Sequence, residues 1–154
     1  MTIAEVAIAL TGFTGVVAVF GRRSRGAWTP HELLQLRALV ETSLTAFFVS
    51  FVPTLLGMVL DSESHVWRSS NAILGLAHAA NLAAFFLRTQ MAPSTAGQIT
   101  IAAIGMAFIV THLLVGLGLV GYAVPIFVLG LLQQIFVAVH NFVLLLIPTK
   151  EQAA

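Results

Sequence analysis

Cysteine is absent from all 154 residues, which excludes disulfides, thiolate metal ligands and iron–sulfur clusters. Charge is scarce too: Asp, Glu, Lys and Arg together make up 8% of the chain, against the roughly 25% usual in a soluble domain. With 58% of the residues hydrophobic, such a chain cannot solvate its own surface as a water-soluble globule, so lipid is the expected solvent for most of it. A formal net charge of +1 provides no field that could gather nucleic acid, and no nucleic-acid partner is expected. Catalytic signatures are missing as well. There is no P-loop, no Gly-rich dinucleotide fingerprint, no serine elbow, no acidic metal cluster, no H-E-x-x-H and no C-x-x-C-H. A conventional enzyme is not expected.

What the chain does have is long apolar runs. The first, Ile3 to Phe20, reaches about 27 Å at ~1.5 Å per residue, close to the ~30 Å of a bilayer's hydrocarbon core. It has no basic n-region, carries Glu5 near its start and is followed, not preceded, by arginines, so it reads as a retained helix and not as a cleaved signal. From Ile99 to Ile147 no charged residue occurs in 49 positions, about twice the ~20 residues one span needs. Gly116, Gly118 and Gly121, followed by Pro125, supply the break. The expected fold is an all-α integral membrane protein, a single transmembrane domain over 1–154. Its five spans lie at about 3–20, 38–60, 66–87, 99–120 and 124–147. Four spans plus a surface helix at the N-terminus is the alternative.

Local signals mark the boundaries. Thr29, Pro30 and Glu32 form a capping box with proline at the first helical position, and Thr95 with Gln98 forms a second box. Pro53 falls inside the second span and predicts a kink, with the freed carbonyl open to the hydroxyls of Ser50 or Thr54. Trp67 and Arg68 read as interfacial anchors, and Pro148 closes the last span. With five spans, Arg22, Arg23, Arg25, Arg37, Arg88 and Lys150 share one side, leaving only Arg68 of the 7 basic residues on the other. Basic loops stay inside, which predicts an external N-terminus and a cytoplasmic C-terminus in a plasma or inner membrane. Arg22, Arg23 and Arg25 are also placed to hold anionic lipid headgroups.

Polar side chains within the spans carry the functional reading, because each is expensive in lipid and should face protein, water or ligand. Asn71, His78 and Asn81 share one helical stripe; Gln133 and His140 share another, with Gln134 and Asn141 one step round. Thr111 and His112 lie in the fourth span. Counting residues from the cytoplasmic ends places His78 and His140 at similar depths, about 15 and 12 Å, with His112 near ~21 Å. At these depths His78 and His140 could meet, while His112 sits a turn or more towards the outside. Arg37 and Glu41, four apart, read as a cytoplasmic-edge ion pair, and Glu5 as an interfacial residue. Gly12, Gly15, Ala77, Ala80, Ala84 and Gly105 mark expected close helix contacts.

Three readings fit these residues. They are interhelical glue in a structural or accessory subunit, a polar route through a small channel or transporter-like protein, or ligands, His78 and His140 first, for a haem or a metal. Five helices offer little interior, so a homo-oligomer is expected to shelter part of the polar stripes.

Overall fold

The structure is a computed structural model that describes residues 2–25, 28–89 and 96–146, with side chains described at all of these except 17–25. Six helices follow one another: α1 Ile3–Arg25, α2 Pro30–Ser50, α3 Val52–Gly57, α4 Glu63–Thr89, α5 Ala96–Gly116 and α6 Ala123–Leu146. No strand occurs among the described residues. Four rods, α2 with α3, then α4, α5 and α6, are long and apolar enough to cross a membrane.

Each rod begins and ends for a local reason. At the start of α2 the Thr29 hydroxyl accepts from the Glu32 amide at 3.2 Å while the Glu32 carboxylate accepts from the Thr29 amide at 2.8 Å, so the capping box is complete. The same device opens α1, where Glu5 Oε2 accepts from the Thr2 amide at 2.6 Å. Glu5, expected as an interfacial residue, is thus a capping residue of α1. Pro53 has no amide proton to continue the ladder, and helix geometry is interrupted at Phe51. Ser50 does not satisfy the freed carbonyl, because its hydroxyl donates to Phe47 at 2.7 Å. α5 ends in a Schellman motif: Leu119 donates to the Leu114 carbonyl and Gly118 to that of Val115, both at 2.9 Å, with Gly118 at φ +77°. Tyr122, at φ +60°, completes the turn into α6. The expected box at Thr95, the arginine side chains at Arg22, Arg23 and Arg25, and Pro148 and Lys150 lie outside the described residues.

The rods run alternately between two ends. One holds the Gly118–Tyr122 turn and the α3–α4 connection, here the turn end; the other holds Arg37 and Arg88, here the basic end. α2 packs chiefly on α6, and α4 on α5. α1 packs against α2 and α6. Ile3 packs against the cluster of Val49, Leu74, Phe127 and Leu131, while Leu10 packs against that of Leu39, Ala138 and Leu145. Phe13 meets Phe142 edge-on at 6.2 Å.

The distribution of polarity is inverted relative to a soluble bundle. Large apolar side chains such as Phe48, Leu76 and Leu129 are exposed on the helix faces, while Asn71, His112 and Gln134 are among the most deeply buried residues. Most hydroxyls on the rods bond back into their own helix, as Thr42 does to Ala38 at 2.7 Å and Thr111 to Ala107 at 2.9 Å. Those threonines can meet an apolar environment without a partner elsewhere.

Candidate functional site

The polar residues separate into two groups. Nearer the turn end, Asn71 Nδ2 donates to the carbonyls of Trp67 at 2.8 Å and Ala123 at 2.9 Å, tying α4 to the start of α6. This fixes the amide, so Asn71 Oδ1 faces His112 and accepts from its Nδ1 at 2.8 Å. His112 therefore carries its proton on Nδ1 and is fully buried. The ring fits because two glycines flank it. A Cβ on Gly75 would lie 3.0 Å from His112 Cβ, and a Cβ on Gly130 would collide with the imidazole itself. An amide such as Asn71 holds helices together but does not pass a proton on, so this node is a clamp across α4, α5 and α6.

The second group surrounds a cavity of ≈ 90 Å³ in the half of the bundle nearer the basic end, walled by α2, α4, α5 and α6. His78, Asn81, Gln133, Gln134, His140 and Asn141 all line it. His78 Nε2 donates to Gln133 Oε1 at 2.8 Å, and Asn81 donates to the Thr45 hydroxyl at 3.0 Å. Asn141 turns back to the Val137 carbonyl of its own helix at 2.9 Å. Three nitrogens of this group, His78 Nδ1, Gln134 Nε2 and His140 Nε2, are buried with no hydrogen-bond partner in the protein. A buried polar atom in that state costs roughly 1–3 kcal/mol.

Three expectations are corrected by this geometry. His78 meets His112, with ring centroids 5.4 Å apart and the rings stacked, while His140 stacks on Phe136 of its own helix. Residue counting placed His112 too far out because it followed Cα positions. Helical side chains lean toward the N-terminus of their helix, and α4 and α5 are antiparallel, so the two imidazoles lean toward each other across about one turn. Secondly, Glu41 pairs between helices with Arg88, at 2.6 Å, in place of Arg37, which is exposed. Both partners line the cavity and are about a third exposed, 34% for Glu41 and 30% for Arg88, so the ion pair stands at its rim. Thirdly, Gly12 and Gly15 have nothing within 4 Å of a would-be Cβ, and Gly105 is in ordinary contact only. The close approaches are at Gly75, Gly130 and Gly116, the last with a Cβ position 2.9 Å from Ala72 Cβ. A signal for two of them was present, since Gly75 precedes His78 by three and Gly130 precedes Gln133 by three, on the polar stripes themselves.

The cavity is smaller than the ~150 Å³ void that holds one benzene ring, so a haem does not fit it. Among the described residues no three His, Cys, Asp or Glu side chains gather in a way that could hold a metal ion. Fold and site together define a helical bundle with an apolar exterior and, inside, a largely apolar cavity on which several amide and imidazole residues converge. Comparisons of the chain with known protein families, with curated proteins and with solved structures gave no match.

Proposed function

We propose that this chain is a five-span membrane protein, N-terminus outside and C-terminus in the cytoplasm, in which this cavity forms the inner half of a channel- or transporter-like route for a small solute. The observation that carries the reading is the ≈ 90 Å³ cavity on which the amide and imidazole residues His78, Asn81, Gln133, Gln134, His140 and Asn141 from two helices converge. The position of α1, packed on α2 and α6 with Ile3 at one buried cluster and Leu10 at the other, supports a fifth crossing in preference to a surface helix. Basic residues then collect at the end nearer the cavity, which supports the orientation. Toward the turn end the path is closed by Val49, Leu74, Phe127 and Leu131, so this conformation corresponds to access from the basic end alone. Asn71, His78, His112, Gln134 and Asn141 are buried by the chain's own helices, while Asn81, Gln133 and His140 are half-buried, which leaves room for a second copy to complete the shelter.

Gly105→Val is the discriminating variant. The first carbon of the new side chain finds only ordinary contact, while the two methyls project from a cavity-lining position and fill it without removing any polar group. Small-solute flux in proteoliposomes should exceed that of protein-free vesicles and fall toward it in Gly105→Val. Background flux in wild type, with the variant unchanged, would leave the polar residues as helix glue. A reporter fused after Ala154 that is active only outside the cytoplasm would overturn the orientation.

A further inference from the structure

We propose that α4 and α5 form one rigid arm that pivots against α1, α2 and α6 at the turn end, with the Glu41–Arg88 ion pair as the latch that holds the arm shut at the basic end. The pivot stands on packing alone; its use as the inner gate of the cavity rests on the reading of that cavity as part of a solute route.

Each half of the bundle is tightly joined within itself. α4 and α5 approach so closely that a Cβ on Gly116 would lie 2.9 Å from Ala72 Cβ, and one on Gly75 would lie 3.0 Å from His112 Cβ. The stacked rings of His78 and His112 join the same two helices. In the other half, Leu39, Ala138 and Leu145 are packed against Leu10, Trp28 and Phe142, so the whole cluster belongs to α1, α6, α2 and the entry to α2. Helices packed to this density move as blocks.

Between the halves, the two ends are held by different forces. At the turn end the joint is apolar and tight, because Val49, Leu74, Phe127 and Leu131 form a buried cluster drawn from both halves and Gly130 admits the His112 ring. Trp67 adds an edge-on contact with Phe127 at 5.8 Å. Toward the basic end, among the described residues, the ≈ 90 Å³ cavity takes the place of a shared apolar cluster. Polar bonds cross there instead: His78 to Gln133 at 2.8 Å, Asn81 to Thr45 at 3.0 Å and, outermost, Arg88 to Glu41 at 2.6 Å. Water or a solute can replace polar partners but not apolar packing, so the basic end opens first. An ion pair that is about a third exposed exchanges readily with water, which suits a latch and not a permanent tie. The lever is long. Arg88 lies 14 residues beyond Leu74 on α4, which is ~21 Å at ~1.5 Å per residue, so a rotation of about 14° at the apolar joint widens the rim by about 5 Å.

With no native cysteine, spin labels can be placed in pairs on the full chain in vesicles of phosphatidylcholine and phosphatidylglycerol, and their distances read by double electron–electron resonance. Arg37 with Leu87 spans the basic end, Phe48 with Leu117 spans the turn end, and Leu87 with Ile99 lies within the arm; all of these side chains are exposed. Glu41→Gln and Arg88→Gln should each add an Arg37–Leu87 population longer by about 5 Å, with the other two distances as in wild type. An Arg37–Leu87 distance unchanged in both variants overturns the latch. Equal lengthening at Phe48–Leu117, or any lengthening at Leu87–Ile99, overturns the pivoting arm. If neither variant folds, raising the salt around the wild type from about 0.05 M to about 1 M takes their place, because an exposed pair is screened; the same distance should lengthen, and its constancy overturns the proposal. Lengthening with small-solute flux at background leaves the pivot and removes its use as a gate. Flux above background with every distance unchanged overturns the pivot and leaves the route.

Discussion

Replacing Gly130 with alanine tests whether the His112 clamp is built as the coordinates imply. The added methyl would collide with the His112 ring and lie 2.9 Å from Leu74 Cδ2, in a part of the bundle where His112 and Leu74 are both fully buried. Overpacking of this kind costs about 1–3 kcal/mol. Displacing the ring also breaks its bond to Asn71, worth ~0.6 and at most ~1.7 kcal/mol between membrane helices. Against this, alanine gains about 1 kcal/mol over glycine in a helix interior. The net expectation is a loss of about 1–3 kcal/mol. Gly12→Ala, with nothing within 4 Å, should be neutral or stabilising by up to ~1 kcal/mol. Reversible unfolding in mixed micelles, followed by circular dichroism, measures both. The specific claim is that the collision is with the imidazole, so in a His112→Ala background the Gly130→Ala penalty should shrink to under about 0.5 kcal/mol, an interaction visible in the double-mutant cycle. An equal penalty in both backgrounds, or a Gly130→Ala protein as stable as Gly12→Ala, would refute the clamp.

Charge reversal tests the rim: Glu41→Arg and Arg88→Glu should each loosen the α2–α4 contact, measured as a lower melting temperature in detergent, and the double exchange should recover most of the loss. Arg37→Ala, an exposed side chain, should stay within about 0.5 kcal/mol of wild type. Pro53→Ala restores a backbone donor between α2 and α3, so spin labels on cysteines placed at Arg37 and Met58 should move apart as the rod straightens; the absence of native cysteine makes the labelling clean. Thr29→Ala removes the hydroxyl half of the α2 capping box and should destabilise the protein by about 0.5–2 kcal/mol, with no change in stability counting against the box.

Helical class and element boundaries were legible in the sequence because both are local. Four of the five apolar runs expected to span, the Thr29 box, the Pro53 interruption and the Gly118 turn each follow from a few neighbouring residues and one backbone rule, and each stands in the structure within a few residues of its expected place. The stripes on α4 and α6 were legible for the same reason, since helical periodicity alone sets which side chains share a face. Partnership was not. Arg37 and Glu41 satisfy every spacing rule for an ion pair, yet Glu41 reaches Arg88 across 47 positions of chain, because α2 and α4 bring the two side chains together at the bundle's end. His78 found His112 instead of His140 because antiparallel side chains lean toward each other, which no count along a single helix contains. The glycines that matter were decided last. Gly12 and Gly130 are alike in sequence, but only Gly130 has an imidazole packed where its side chain would be, and that depends on how three helices meet.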